Sequence, residues 1–552
     1  MKIQVEQINY TIGDLSGNSK KIISAIEHGK SKEVDLIVFS ELAVCGYIPH
    51  DMLEQKDFID MVYEQIEIIA EHCHDIAILL GSPWINDSKN GKKLFNAALF
   101  ISDGSVQEIF KKTLLPTYDI FDDYRYFEPN TEFNLLEHKG EKIAITICED
   151  LWDKQEASYQ FAKETLYSTS PLQELSKLNP DYVINIAGSP FSYNHEDLRK
   201  QVLIQNARQY NLPIIYVNQI GANTELIYDG GSRIINQNGE IVNQLAHFNE
   251  DSKIVDTKEI DVLPTLNSKP VKKIEMIHDA LILGIRDFYS KMGFKTAIMG
   301  LSGGIDSALT AALVAEAIGG ENTYGILMPS KYSSEHSIKD AERLAKNLGM
   351  HYETIPIQAA FETVNDSMSE YFEGKKEDVT EENIQARLRG LILMAASNKN
   401  GHILVNTSNK SEAAVGYTTL YGDMNGGFSV LGDVYKTDVF ELSRFINRNN
   451  EIIPGNSITK PPSAELRPDQ KDEDSLPAYE ILDGILFSYI EKKLSVTEII
   501  DAGYAPETVR FVVKLVNKNE HKRFQAPPIL RISSKAFGFG RRMPLIAKYL
   551  IK

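Results

Sequence analysis

Residues 300–307 read Gly-Leu-Ser-Gly-Gly-Ile-Asp-Ser, and few backbones accommodate that octet. An apolar run, Ala297, Ile298 and Met299, leads in, and an alanine-rich amphipathic run over 308–318 leads out. The order is strand, tight glycine turn, helix. Ser302, Gly303 and Gly304 let backbone N–H groups face an anion, and the helix adds the positive end of its dipole. Asp306 places a carboxylate inside that anion site, which is reasonable chemistry only if a cation is held there too. The octet therefore predicts a parallel α/β sheet that binds a polyphosphate with a metal. It lacks the lysine of a Walker A loop, so it is not built to move a γ-phosphoryl group.

The rest of the chain must supply more than one core. At 552 residues two domains of about 250 residues each are expected. The net charge of −19, from 58 basic and 77 acidic side chains, excludes a general nucleic-acid or anionic-membrane binder. The charge is uneven: residues 514–552 hold ten Lys or Arg and one acid, Glu520. That basic segment faces either phosphates, an acidic neighbouring subunit, or solvent. The three cysteines, Cys45, Cys73 and Cys148, are too few and odd for a disulfide framework. The first residues lack the apolar core of a signal peptide, and no apolar run approaches the length of a membrane span. A cytoplasmic protein is expected.

Residues 1–265 alternate β-rich and amphipathic runs. Stretches 3–7, 36–39, 76–80, 143–147, 182–186 and 214–217 read as buried strands, with helical periodicity over 18–28 and 58–72. The reading is an α/β domain with a mixed sheet. Residues 266–273, within a polar stretch with two prolines, read as a linker. From 274 to 552 strands near 323–327, 352–355 and 403–406 alternate with helices near 335–348 and 381–397. That pattern predicts a doubly wound parallel sheet with a nucleotide at the strand C-termini. Residues 460–477 form a polar loop long enough to be an active-site lid.

Three reactive residues fall at predicted strand ends in the first domain. Cys148 follows strand 143–147, Glu41 closes the run Phe-Ser-Glu41, and Lys112 follows another apolar run. A lone cysteine is usually a small buried hydrophobe. Together with a lysine that favours its thiolate and a carboxylate that takes its proton, it becomes a nucleophile.

Glu41, Lys112-Thr-Leu-Leu-Pro, Ile-Cys148-Glu-Asp-Leu-Trp and the later Asp229-Gly-Gly-Ser resemble the nitrilase superfamily over about residues 1–262. The resemblance implies an α-β-β-α sandwich, with Glu41 as general base, Cys148 as nucleophile and Lys112 stabilising the tetrahedral intermediate. Ala187-Gly-Ser-Pro-Phe191 resembles the glutamine-binding segment of nitrilase-type glutaminases, and Tyr118 and Ser189 match substrate-contacting positions. The third such position, usually Arg or Lys, is His195 here. Glu128 is a second carboxylate near Lys112 in sequence, with a surface role the plainer reading.

The octet itself, Gly300, Leu301, Ser302, Gly303, Gly304, Ile305, Asp306 and Ser307, resembles the loop of ATP pyrophosphatases. Those enzymes split ATP between its α and β phosphates. Further segments match one branch of them: Glu382-Asn-Ile-Gln-Ala-Arg-Leu-Arg-Gly390, Asn406-Thr-Ser-Asn-Lys-Ser-Glu412, Val415-Gly-Tyr417, Tyr421-Gly-Asp-Met-Asn-Gly-Gly427, Lys460-Pro-Pro-Ser-Ala-Glu-Leu-Arg-Pro468 and Lys522-Arg-Phe-Gln-Ala-Pro-Pro528. With the first domain, they resemble the glutamine-dependent NAD⁺ synthetases across essentially the whole chain. The resemblance implies that Thr407 contacts ATP, and that Asn383, Glu412, Tyr417 and Lys522 contact deamido-NAD⁺. It also pairs Asp306 with Glu412 around Mg²⁺, a hard cation suited to carboxylate oxygens. Lys436 is a candidate to neutralise departing pyrophosphate. A homo-oligomer with an ammonia tunnel is implied as well. The expected substrates are glutamine, ATP and deamido-NAD⁺, with neither nucleic acid nor membrane as partner.

Two motifs are decoys. Gly538-Phe-Gly540 lacks the third glycine of a dinucleotide fingerprint, and His72-Cys73-His74 would point its side chains apart on a helix. Three rivals remain. Another glutamine-dependent ATP-pyrophosphatase amidotransferase is the first, although Lys2 stands where asparagine synthetase needs cysteine and no cysteine follows Cys148. An amidase carrying a regulatory nucleotide module is the second, and a scaffold protein the third.

Overall fold

The structure is a computed structural model, and it describes residues 1–154, 166–267, 271–468 and 470–547. The chain divides into two compact units, Met1–Pro270 and Val271–Lys552. The centre of the expected linker, residues 268–270, lies outside the described residues.

The first unit is built on two six-stranded sheets. One runs Asp251–Asp256, Lys2–Gln7, Leu36–Val38, Ala77–Ile85, Leu94–Ser102, Ser105–Lys111. The other runs Ile241–Gln244, Arg233–Ile235, Ile214–Asn218, Tyr182–Ala187, Glu141–Ile147, Leu136–His138. Strand periodicity explains the layering. Leu36 and Val38 point into a core shared with Ile143 and Ile145 of the other sheet. Ile37 and Phe39 point the opposite way, against Ile22 and Ile26 of helix Leu15–Ser31 and Val62 and Ile66 of helix Lys56–Ala70. Strands apolar on both faces need cover on both faces, and the result is an α-β-β-α sandwich. The hairpin of Leu94–Ser102 and Ser105–Lys111 was not among the expected strands. Its inner strand is a buried apolar run, but its outer strand is half exposed and polar.

The second unit carries a five-stranded sheet in the order His351–Thr354, Thr323–Leu327, Ala297–Gly300, Ile403–Asn406, Phe428–Ser429. Every neighbouring pair is parallel. Ile298, Ile326 and Leu404 meet Ile392, Leu393 and Ala396 of helix Val379–Asn400. Ala297 and Met299 point to the other face by alternation. The chain winds outward in both directions from Ala297–Gly300, so a topological switch point lies between that strand and Ile403–Asn406. A further layer of helices packs Leu482, Ile485, Val509, Val512 and Val516 into one cluster with Ala414 and Val415.

The basic stretch after 514 is partly internal. Lys522 donates to the carbonyls of Gly416 and Thr418, Arg523 to those of Ala413 and Ala414, and Arg531 to those of Ser533 and Ser534. These cations close backbone ends, a use that none of the three sequence readings included.

His278 is a titratable clamp in this unit. Its ring bonds Asp279 (2.9 Å) and Glu316 (3.1 Å) and abuts Phe445, with Arg286 and Arg448 beyond Glu316. Burial opposes its charge, but the two carboxylates prevail and raise it to about 9. A raised pKa means the stabilisation is complete below about pH 6.5 and is lost as pH rises through about 9. His278→Gln is expected to cost about 1–2 kcal/mol at pH 6, with the gap to wild type closing by about pH 9.5. Thermal midpoints across that range check it.

Candidate active sites at two sheet edges

Glu41, Lys112 and Cys148 converge. Each follows a strand: Leu36–Val38, Ser105–Lys111 and Glu141–Ile147. Lys112 is fully buried, and its Nζ donates to Glu41 Oε1 at 2.7 Å and to Asp123 Oδ2 at 2.6 Å. Glu41 Oε1 also accepts from Asn96, and its Oε2 from the Gly188 N–H at 2.8 Å. A Cβ on Gly81 would stand 2.2 Å from the Ser40 carbonyl, so the neighbouring strand must carry glycine for the Glu41 turn to pass. Cys148 opens a 3₁₀ turn with φ +44°. That left-handed conformation costs about 1–2 kcal/mol for a residue other than glycine. Asp150 holds the turn: its carboxylate accepts from the N–H groups of Thr113, Leu114 and Ile147. One side chain thus ties the Lys112 segment to the Cys148 segment.

The electrostatics differ from the expected thiolate. Burial, followed by the charge of Glu41, pushes the Cys148 thiol well above its usual range, and the opposing pull of Lys112 is smaller. Burial and the Glu41 charge thus favour the neutral thiol over the thiolate at Cys148. Lys112 is raised well above the usual lysine range: burial opposes the charge, but Asp123 and Glu41 outweigh it. The second carboxylate beside the lysine is Asp123, not Glu128. Glu128 accepts from the Lys92 N–H and closes the 86–92 turn. Asp123 lies in an aromatic segment, Phe121 to Phe127, the one sequence hint to its burial.

The three glutamine-site candidates are placed as follows. Tyr118 donates to Glu149 Oε1 at 2.7 Å, and Tyr167 donates to the same oxygen at 2.9 Å. Burial raises Glu149 to about 7. Ser189 is buried, and its N–H donates to Asn218 Oδ1. His195 starts helix His195–Tyr210 and stacks on Trp152, centroids 4.9 Å apart and rings 15° from parallel. Asp229 belongs to an internal network instead. It pairs with Arg199, and Glu196 joins Arg199 to Arg233.

The second site occupies the switch point. The loop between Ala297–Gly300 and helix Ile305–Ile318 is held by its own hydroxyls. Ser302 Oγ and Ser307 Oγ are 3.0 Å apart, Ser307 donates to the Gly304 carbonyl, and the Gly304 N–H donates to Ser302. Gly303 has φ +76°, and a Cβ there would stand 2.2 Å from the Ser337 carbonyl. Above the loop is a cavity of about 290 Å³. Gly300, Leu301, Ser302, Gly304, Ile305, Asp306, Ser307, Thr407, Glu412 and Tyr417 all line it. Residues 460–466 wall it through Lys460, Glu465 and Leu466, which accounts for part of the expected lid.

Asp306 and Glu412 face one cation. Lys436 Nζ contacts Asp306 and lies 3.5 Å from Glu412 Oε1. Asn409 orients both: its Nδ2 donates to Asp306, and its Oδ1 accepts from the Glu412 N–H. Burial, then the charge of Asp306, raises Glu412 to about 8 despite Lys436. Asn383 and Lys522 stand behind the cavity wall. Asn383 accepts from Thr419, and Lys522 holds the carbonyls either side of Tyr417. The His72-Cys73-His74 run forms no cluster: His72 bonds Glu27 and Cys73 bonds the Ile69 carbonyl. Among the described residues, no group of three His, Cys, Asp or Glu forms a metal site.

Gly303→Ala tests the loop. The added methyl must push the loop from Ser337, and strain at positive φ adds about 1–2 kcal/mol. Loss of the ATP-induced rise in thermal midpoint is expected, with the first unit's thiol reactivity unchanged.

Known proteins place both units. Residues 2–262 match the carbon-nitrogen hydrolase family, and residues 277–526 match the NAD synthase family. A glutamine-dependent NAD(+) synthetase of Synechocystis sp. is 45% identical over 550 residues, covering 98% of each chain. That of Thermotoga maritima is 39% identical over 100% of this chain and 99% of its own. The solved structure of the glutamine-dependent NAD+ synthetase from Acinetobacter baumannii in complex with ADP is 37% identical. It has a TM-score of 0.77 and covers 99% of this chain and 98% of that one. Similarity at this level over the full length, with both sites built, means that the chain belongs to the family of glutamine-dependent NAD⁺ synthetases.

Proposed function

We propose that the first unit releases ammonia from glutamine and the second uses it to convert deamido-NAD⁺ to NAD⁺. The observation that carries this reading is two complete sites in one chain, a Glu-Lys-Cys centre and a polyphosphate loop at a switch point. In the first step Cys148 Sγ attacks the glutamine carboxamide carbon while Glu41 takes the thiol proton. The Lys112 ammonium balances charge on the carbonyl oxygen. Collapse expels ammonia, which receives the proton from Glu41, and leaves a thioester. Glu41 then deprotonates the water that releases glutamate.

In the second unit an oxygen of the nicotinate carboxylate attacks the α-phosphorus of ATP, and pyrophosphate departs. Ammonia attacks the acyl carbon of that adenylate, AMP leaves, and the amide of NAD⁺ remains. Activation is required because a carboxylate is a poor electrophile. Asp306 and Glu412 would suit a hard cation such as Mg²⁺: two carboxylate donors that share Lys436, one raised to about 8 by burial and then by its neighbour's charge. When bound, that ion supplies charge neutralisation to the phosphates. Lys436 is the group that must share these carboxylates with it. The cytoplasm is the compartment proposed, in keeping with three free and buried cysteines. The molecule is proposed to be a homo-oligomer, as its resemblance implies. No helix among the described residues is long and apolar enough to cross a membrane.

Two substitutions separate the halves. Cys148→Ala is expected to lose glutamine-dependent NAD⁺ synthesis by at least about 10³-fold and to retain synthesis from ammonium salts. Asp306→Ala is expected to lose synthesis with either nitrogen source and to keep glutamine hydrolysis. Loss of both activities in Cys148→Ala contradicts the division of labour. Full synthesis by Asp306→Ala instead removes Asp306 from the metal site.

A further inference from the structure

Arg389 is a half-buried cation with no carboxylate of the described residues in ion-pair contact. It lies on helix Val379–Asn400, one turn before Leu393. Leu393 packs at the end of strand Ala297–Gly300, 3.4 Å from where a Cβ on Gly300 would stand. The helix leads into strand Ile403–Asn406 of the parallel sheet, so it runs antiparallel to the strands and its N-terminal side extends past their carboxyl edge. One turn places Arg389 about 6 Å farther out than Leu393, beside anything bound over the loop. It lines the same cavity as Gly300, Ser302 and Asp306.

Its hydrogen bonding leaves the guanidinium largely unused. Nε donates to the Met328 carbonyl at 3.1 Å. No carboxylate of the described residues comes within ion-pair distance, and Asp423 and Glu465 act on it only at longer range. Fully buried arginines differ: Arg199 grips Glu196 and Asp229, Arg233 grips Glu196, and Arg523 grips Glu520 and three carbonyls. Burial pulls Arg389 down to about 10, so it remains a cation at neutral pH. Taking a charge even partly out of water without a partner is unfavourable, and an anionic ligand would offset that cost. A planar fork of donors fits phosphate oxygens in particular.

We propose that Arg389 contacts ATP directly, its guanidinium receiving a phosphate oxygen of the nucleotide from the side of the cavity opposite the glycine loop. This rests on the reading of the cavity as the ATP site. The Met328 bond holds Nε, no hydrogen bond among the described residues takes up the two terminal nitrogens, and the side chain lines the cavity. The loop supplies neutral N–H donors and a helix dipole, and Arg389 supplies the full positive charge that they lack.

The test uses the full chain with ammonium as nitrogen source. ATP affinity is measured by titration calorimetry for wild type, Arg389→Gln and Arg389→Lys, and KM is measured for each substrate. Arg389→Gln is expected to weaken ATP by at least about tenfold, with KM for deamido-NAD⁺ within about twofold of wild type. Arg389→Lys keeps the charge without the fork and is expected to fall between the two. Glutamine hydrolysis and the nucleotide-free thermal midpoint should not move. Equal ATP affinity in all three proteins overturns the assignment. So does a rise confined to KM for deamido-NAD⁺, which gives the guanidinium to the nicotinate carboxylate. Failure of the wild type to bind ATP overturns the reading of the cavity and Arg389 with it.

Discussion

A lysine ammonium buried between two carboxylates organises this protein. The lysines buried among the described residues are Lys112, Lys410 and Lys436, and each has the same arrangement. Lys112 lies between Glu41 and Asp123, Lys436 between Asp306 and Glu412, and Lys410 between Asp433 and Glu491. Removing one charge from water costs several kcal/mol, so each cation requires close anions. Two carboxylates around one ammonium leave one negative charge in excess. In the first unit that excess keeps the lysine charged. In the second, burial and Asp306 raise Glu412 to about 8, so it tends to hold a proton beside Lys436. Lys410 serves the second site indirectly. Asp433, its partner, also accepts from the N–H groups of Ile532 and Ser533, so the C-terminal segment is anchored behind helix Lys410–Val415, which carries Glu412.

This arrangement alters the chemistry of the cysteine. A lysine beside a thiol ordinarily stabilises thiolate, but here burial and Glu41 act more strongly on Cys148 than Lys112 does. In the proposed reaction the thiol proton leaves as Cys148 attacks, and Glu41 is the proposed acceptor. The strained turn at Cys148 and the three N–H groups on Asp150 hold the Cys148 and Lys112 segments in register.

Much of this was legible in the residues. The glycine octet predicted strand, turn and helix, and the alternation around Leu36 and Ile143 predicted buried strands, because local sterics and apolar periodicity act over few residues. The convergence of Glu41, Lys112 and Cys148 was visible for the same reason, since all three end strands. What stayed hidden depends on distant contacts. Glu128 and Asp123 are both carboxylates shortly after Lys112, and only the fold turns Asp123 inward. Asp150 reads as one more acid until its three backbone donors are in place. The basic C-terminal stretch read as a surface or a partner site because the carbonyls that Lys522, Arg523 and Arg531 close are mostly far away in sequence or formed by turns.

The central claim is that one chain couples both sites in a single AMP-forming amidation. The most direct test incubates the full chain with amide-¹⁵N glutamine, ATP, Mg²⁺ and deamido-NAD⁺, and follows products by mass spectrometry. NAD⁺ carrying ¹⁵N in its carboxamide, formed with one AMP and one pyrophosphate per molecule, is the expected result. Formation of ADP and phosphate, or NAD⁺ without the label, would contradict it.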